Sequence, residues 1–531
     1  MTRWVADRGL RLLYVAPPGE AGRDRRNPWI EGRVPFPRPM AERLWSLDLP
    51  VSGTGRASRL TDGFAGAVLE AVGTLGLRRP LVVSEVGQLS NLEAATGWHS
   101  APLDRDARAL DEALDRLPVS TSVESGTPLG GPRRLSVVVL DHCAKLSGGE
   151  LAMARLLPAC RDLDVRVFLG EDGPLVGRLE RDEVPVEVIP MDIRAQAVSK
   201  DSVVPRAGLL RAVASTVRYS IALARRLRRD RTELVVTNSL KSDLYGGVAG
   251  RIAGVPVVWH LRDRISSDYL PSPAVTLIRL ASRILPSGVI ANSGATLESL
   301  QLGPHARRRL FARAIGSPCV SIRHSGTRRT VRNGALTVGM VGRLAPWKGQ
   351  DVFLRAFARA FPEGTNLARI VGGPLFGESE FADALPGLAA ELGIADRVEL
   401  VGHSDEVEVE LEGFDIAVHA SVVAEPFGQV VVEAMASGCA VIATDGGGPA
   451  EVITDGVDGL LVPMGDIEAL AYALSTLATD PALRVRLGTG AMSTAQRFVP
   501  ERVAAEVEEA YGLVLARHLL RRKSTRRSIR S

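Results

Sequence analysis

The chain is poor in cysteine, with Cys143, Cys160, Cys319 and Cys439 its only four in 531 residues. No two are close enough to form a zinc clamp, a redox motif or a disulfide framework, which points to a reducing compartment. Long apolar runs are lacking too. None approaches the roughly eighteen residues of a membrane span, and Met1-Thr2-Arg3-Trp4 leads into charged sequence rather than the apolar core of a signal peptide. The expectation is a cytoplasmic protein. Neither sign of charge dominates: 65 Lys and Arg against 61 Asp and Glu leave a net +4, so global charge names no partner. Aromatic residues make up only 5%, and no rings interleave with the arginine clusters, which argues against a nucleic-acid partner.

What is present is ordinary globular sequence. Apolar residues at 45% and charged residues at 24% exclude general disorder and a collagen-like or membrane-embedded class, and the length exceeds what one core serves. From Leu135 onward, short β-branched runs alternate with longer amphipathic stretches, the pattern of strand, crossover helix and parallel strand. Leu135 to Leu140, Val165 to Leu169, Leu234 to Thr237, Val255 to Trp259 and Gly288 to Asn292 form a first series. After the polar segment Arg323 to Gly334, a second series runs through Leu336 to Val341, Ala368 to Val371, Val398 to Val401, Ile416 to His419 and Ala440 to Ala443. The reading is an α/β chain with two Rossmann-like domains, 135–328 and 329–513. Residues 1–119 read as an appended, partial α/β segment, with strands at Leu10 to Val15 and Leu81 to Ser84, a helix at Gly63 to Leu75 and loop from Pro17 to Pro39. Residues 120–134 read as a linker and 514–531 as a basic tail. The tail, from Arg517 to Arg530, reads as a solvated terminus; the sharper alternative is a peripheral contact with an anionic membrane on its inner face, aided by Arg225 to Arg231.

Two carboxylates stand eight residues apart in Glu425-Pro426-Phe427-Gly428 and Glu433-Ala434-Met435-Ala436. Glu425 falls in the loop before a helix and Glu433 about two turns inside it, so both can face one ligand at a strand's end. Upstream, Val341-Gly342-Arg343-Leu344-Ala345-Pro346-Trp347-Lys348-Gly349 follows the first strand of the second series. A strand-to-helix turn of this kind offers backbone N–H groups, and Arg343 and Lys348 add full positive charge, which suits a diphosphate. Downstream, Gly446, Gly447 and Gly448 let backbone approach a ligand closely. Each stretch alone also reads as an ordinary turn or a solvated helix face. Their order along the chain favours a site.

On these motifs the chain, from about Leu135 to Leu513, resembles the GT-B family 4 retaining glycosyltransferases (group 1). The resemblance implies a hexosyltransferase of glycan biosynthesis that uses a UDP- or GDP-sugar as substrate, with no cofactor and no obligatory metal, and a glycan, lipid-linked sugar or metabolite as acceptor. It implies catalytic roles for Glu425, His260, Arg343 and Lys348. It places Glu433 at the nucleotide ribose, Arg343 and Lys348 at the diphosphate, and Gly342, Phe427, Gly428, Gly447, Gly448, Gly148 and Gly149 around the donor. Ser147-Gly148-Gly149-Glu150 looks like the family's first glycine loop, and His260 matches a histidine near sugar and phosphate. The chain departs from the family where Arg323-His324-Ser325-Gly326-Thr327 stands in place of an Asn-Gly pair at the hinge. Retention implies attack from the leaving-group side, with double displacement through Glu425 as the rival. Two other classes stay open: a nucleotide-sugar epimerase and a non-catalytic scaffold that keeps the fold.

Overall fold

In the computed structural model, backbone is described for strands Leu12–Val15, Leu44–Leu47, Leu81–Ser84 and Ser100–Pro102 and for residues 134–191, 206–319, 334–375 and 377–530, with side chains of 206–213, 308 and 520–530 left aside. Two compact units result: Met1–Arg133 with Leu519–Ser531, and Arg134–His518. The first holds a four-stranded parallel sheet, β1 (Leu12–Val15), β2 (Leu44–Leu47), β3 (Leu81–Ser84) and β4 (Ser100–Pro102), in the order β2-β1-β3-β4. The expected helix at Gly63 to Leu75, the loop Pro17 to Pro39, the linker 120–133 and the hinge Arg323 to Thr327 lie outside the described residues.

The second unit contains two parallel sheets. One is built from β5 (Leu135–Asp141), β6 (Leu163–Leu169), β7 (Val186–Val188), β8 (Leu234–Thr237), β9 (Val257–Leu261), β10 (Gly288–Ala291) and β11 (Phe311–Ala314), in the order β11-β10-β9-β8-β5-β6-β7. The other is built from β12 (Thr337–Val341), β13 (Leu367–Val371), β14 (Val398–Gly402), β15 (Ile416–His419), β16 (Ala440–Thr444) and β17 (Leu460–Val462), in the order β14-β13-β12-β15-β16-β17. Both are doubly wound, and strand order reverses at β5/β8 and at β12/β15. Such switch points leave a crevice at the carboxyl ends of the strands, where ligands bind.

Alternation along the strands explains the burial. Val137 and Val139 of β5 join the core on one face with Met153, Leu156 and Val236, while Val138 and Leu140 join the other with Leu227, Val235 and Trp259. The second sheet likewise separates a core around Val338, Met340, Phe353 and Leu474 from one around Val431, Val432, Met435 and Val441. β9 starts two residues later than the apolar run suggested. Pro256 precedes it, and a proline cannot donate to the ladder.

The helix Pro500–Arg530 returns to the first domain. Val503, Val507, Tyr511 and Val514 pack into the core of the seven-stranded sheet, so the expected boundary at residue 513 falls inside a continuous helix. Arg517, expected in the basic tail, packs over the Phe311 ring at 5.9 Å and donates to Leu310 O at 3.5 Å. The other arginine cluster is similarly engaged. Arg226 pairs with Glu187 and Asp230, Arg229 with Asp230, and Arg228 donates to Ile252 and Ala253 carbonyls.

Candidate active site

The loop after β12 is held from several sides. Gln350, fully buried, donates from Nε2 to Arg343 O at 2.9 Å and accepts from Ala345 N at 3.4 Å. Gly349 has φ +77, and a Cβ there would lie 2.2 Å from Ala420 O, so only glycine lets this turn press on the loop after β15. Val422 N donates to Trp347 O at 2.9 Å across the same seam. The Trp347 ring faces both cations, Arg343 at 5.3 Å and Lys348 at 4.6 Å. Arg343 also lies 3.4 Å from Glu378.

Glu425 is the electrostatic centre. Its Oε1 accepts from Lys348 Nζ at 2.5 Å and from Ser421 Oγ at 2.5 Å. His419 Nε2 lies 3.0 Å from the same oxygen. Burial pushes the Glu425 carboxyl up, but Lys348 and His419 outweigh it and hold the group well below the usual carboxylate range. The backbone is fixed as well. Glu425 bridges to Gly447, and Gly448 N donates to Glu425 O at 2.9 Å.

The opposing wall comes from the first domain. At the carboxyl ends of β5 and β8, Asp141 Oδ2 accepts from Asn238 Nδ2 at 2.8 Å, and the same nitrogen reaches Gly149 O at 3.2 Å. Arg262 donates from Nε to Asn238 Oδ1 at 3.1 Å and from Nη1 to Ser317 Oγ at 3.2 Å. Burial lowers the Arg262 guanidinium to about 10. Glu150, hydrogen-bonded to Ser147, is raised to about 7 by burial and then by neighbouring Asp141.

The walls meet at defined points. Arg155 Nη1 lies 2.7 Å from Glu433 Oε1. Arg264 Nη1 donates to Ala424 O at 2.8 Å, and Thr296 Oγ1 to Pro426 O at 3.1 Å. Glu451 accepts from Gly294 N at 2.7 Å and Ala295 N at 2.6 Å. Between the walls is a cleft of about 3240 Å³, well beyond the roughly 300–1,000 Å³ of a single small-ligand pocket and roomy enough for two substrates.

Of the expected site residues, Gly148, Gly149, Gly342, Arg343, Lys348, Glu425, Phe427, Gly428 and Glu433 line this cleft. Four differ from expectation. His260 lies inside β9 rather than after it and does not line the cleft; it is 3% exposed, with Nδ1 3.4 Å from Arg262 Nη2. Burial first, and Arg262 second, hold its imidazole well below its usual range, hence neutral. Gly447 and Gly448 stand behind the cleft: a Cβ at Gly447, which has φ +68, would lie 2.1 Å from Glu425 O, and one at Gly448 would lie 2.3 Å from Phe427 Cα. Their glycines serve backbone against backbone. Glu433 sits one turn into helix Gln429–Ala436 rather than two. Arg155, Asn238 and Arg262 line the cleft without any motif announcing them, and His419 and Ser421 contact Glu425 from positions that read only as a strand end. Among the described residues, no group of three or more His, Cys, Asp or Glu side chains could hold a metal ion, and no helix is long and apolar enough to cross a membrane.

Comparison with known proteins agrees with this architecture. HepE of Anabaena, solved with UDP, with UDP and glucose and with UDP-glucose, superposes with a TM-score of 0.60 at 27% identity, covering 71% of this chain and 99% of its own. The chain has the GT-B fold. Within it, residues 330–493 match the family model described as glycosyl transferases group 1. A D-inositol 3-phosphate glycosyltransferase of Kribbella flavida is 31% identical over 51% of this chain and 62% of its own. The lipopolysaccharide core mannosyltransferase LpcC of Rhizobium leguminosarum bv. viciae is 34% identical over 34% of this chain and 52% of its own. The chain thus matches about half to three fifths of these curated relatives' length. The group 1 match contains the Gly342 to Lys348 loop, Glu425 and Glu433 of the GT-B cleft.

Proposed function

We propose that this chain is a family 4 retaining glycosyltransferase, transferring a sugar from a nucleotide-diphosphate sugar to a glycan, lipid-linked or small-metabolite acceptor. The observation that carries the reading is the Lys348–Glu425 pair, 2.5 Å apart at the switch point of the second sheet and facing the cleft beside Arg343. Transfer builds negative charge on the departing nucleoside diphosphate and positive charge at the anomeric carbon. Lys348 carries three N–H donors and gives one to Glu425; the others, with Arg343, answer the diphosphate. Glu425, kept ionised by its neighbours, answers the sugar. The side-chain cations supply the charge a leaving diphosphate needs, so the reading requires no metal.

The acceptor enters from the first-domain wall, and its hydroxyl proton passes to a donor phosphate oxygen as attack proceeds from the leaving-group side. A UDP-sugar is the first donor to try, because HepE holds UDP and UDP-glucose. We place the reaction in the cytoplasm on the chain's cysteine pattern.

The test incubates the full chain with a panel of UDP- and GDP-sugars in EDTA and follows the released sugar by proton NMR. Slow hydrolysis that first yields the donor's own anomer, with no epimer, supports the reading. An inverted first product would refute retention, and an epimerised nucleotide sugar would refute transfer.

A further inference from the structure

Glu433 makes a contact that donor binding does not require. It lies on helix Gln429–Ala436 of the second domain, yet its Oε1 accepts at 2.7 Å from Arg155, on helix Gly148–Leu156 of the first. The same Nη1 reaches Gln429 Oε1 at 3.2 Å, and Gln429 Nε2 donates to Gly148 O at 2.5 Å. One face of the second-domain helix is thereby clasped to both ends of the first-domain helix. The pair is shielded, with 18% of the Arg155 and 10% of the Glu433 side chain exposed, and both line the cleft. An ion pair so placed is screened far less than a surface pair. Arg155 engages only Oε1, which leaves Oε2 as the carboxylate's second acceptor.

We propose that Arg155 is a positioning residue for the donor, fixing the Glu433 carboxylate so that Oε2 accepts from the ribose hydroxyls and the first domain completes nucleoside recognition by the second. This rests on the proposed glycosyltransferase reading, in which Glu433 meets the ribose. A glutamate free to change rotamer must be ordered when the nucleotide binds; one held by Arg155 has been ordered beforehand. Because the arginine comes from the other domain, the ribose contact forms fully only while the clasp holds the domains in this arrangement.

The test measures calorimetric Kd values for UDP, 2′-deoxy-UDP and 3′-deoxy-UDP on the full chain and on Arg155→Gln, Arg155→Lys and Glu433→Gln. Wild type is expected to prefer UDP over at least one deoxy analogue by about tenfold, the worth of a hydrogen bond to a charged acceptor. Glu433→Gln loses that preference. Arg155→Gln loses most of it while keeping its affinity for the deoxy analogue, which also shows that the variant is folded; Arg155→Lys restores part. Arg155→Gln retaining the full preference overturns the inference, as does equal weakening toward UDP and its analogues, the mark of a merely structural arginine. In both cases, a wild-type preference lost in Glu433→Gln leaves the transferase reading standing. A chain that binds GDP in place of UDP is put through the same series with the deoxy-GDP analogues, and wild type that binds neither nucleotide sinks both.

Discussion

Lys348→Met should damage folding and turnover together, and pH should tell the two effects apart. The Glu425 side chain is 7% exposed and the Lys348 side chain 15%, at 2.5 Å. Removing one partner of a buried pair strands the other charge, at a cost of about 3–5 kcal/mol. His419 at 3.0 Å remains and offsets part of this, so about 3 kcal/mol is expected at pH 7.5, or roughly 6–12 °C in the Tm of a domain of this size. In wild type the folded-state pKa of Glu425 is depressed. The stability it confers is present above the unfolded pKa of 4.5 and is lost as pH falls through the folded value. With the lysine gone, burial drives that pKa upward, and the variant's penalty shrinks as the carboxyl takes up a proton. Scanning calorimetry of both proteins from pH 4.5 to 8 should therefore show Tm curves that converge toward acid. Glu425→Gln added to Lys348→Met should recover most of the loss at pH 7.5 while transfer stays abolished. Parallel Tm curves across the pH range, or a double variant no more stable than Lys348→Met, would refute the reasoning.

Three more outcomes are expected. Glu150, raised from 4.5 to about 7, stays protonated in the fold while the unfolded chain ionises, so its contribution falls as pH rises from 4.5 to 7. Glu150→Gln should flatten that decline in urea titrations by up to about 3 kcal/mol. Gly447→Ala forces a Cβ to within 2.1 Å of Glu425 O; the shifted carboxylate should cost about a hundredfold in kcat, measured by nucleotide release. Val507 is fully buried where the C-terminal helix enters the first core, and Val507→Ala should cost about 2 kcal/mol in thermal melts with kcat unchanged.

The sequence announced the parts of the fold that carry strong local signals. Leu234–Thr237 and Ile416–His419 stand where their apolar runs place them, being central strands covered on both faces. Val186–Val188, Phe311–Ala314 and Leu460–Val462 escaped because edge strands need no long apolar run; Arg313 of β11 even pairs with Glu509. Arg343, Lys348, Glu425 and Glu433 were legible because glycine turns and carboxylate spacing are local patterns. Their partners were not. Arg155 lies 278 residues from Glu433 and Ser421 is an unremarkable serine, so only the folded topology brings them in. His260 is the opposite case: a motif match named it, and alternation along β9 sets it on the face of Val258, outside the residues that line the cleft. Nor did any periodicity say which core the C-terminal helix would enter, since an apolar face fits either.

The most direct measurement is a crystal structure of the chain soaked with UDP. The account predicts diphosphate density against the Gly342 to Lys348 loop, with Lys348 Nζ and Arg343 in contact, and the ribose at Glu433 while Arg155 remains on Oε1. A nucleotide bound elsewhere, or in the cleft with its diphosphate away from Lys348 and Arg343, would contradict it.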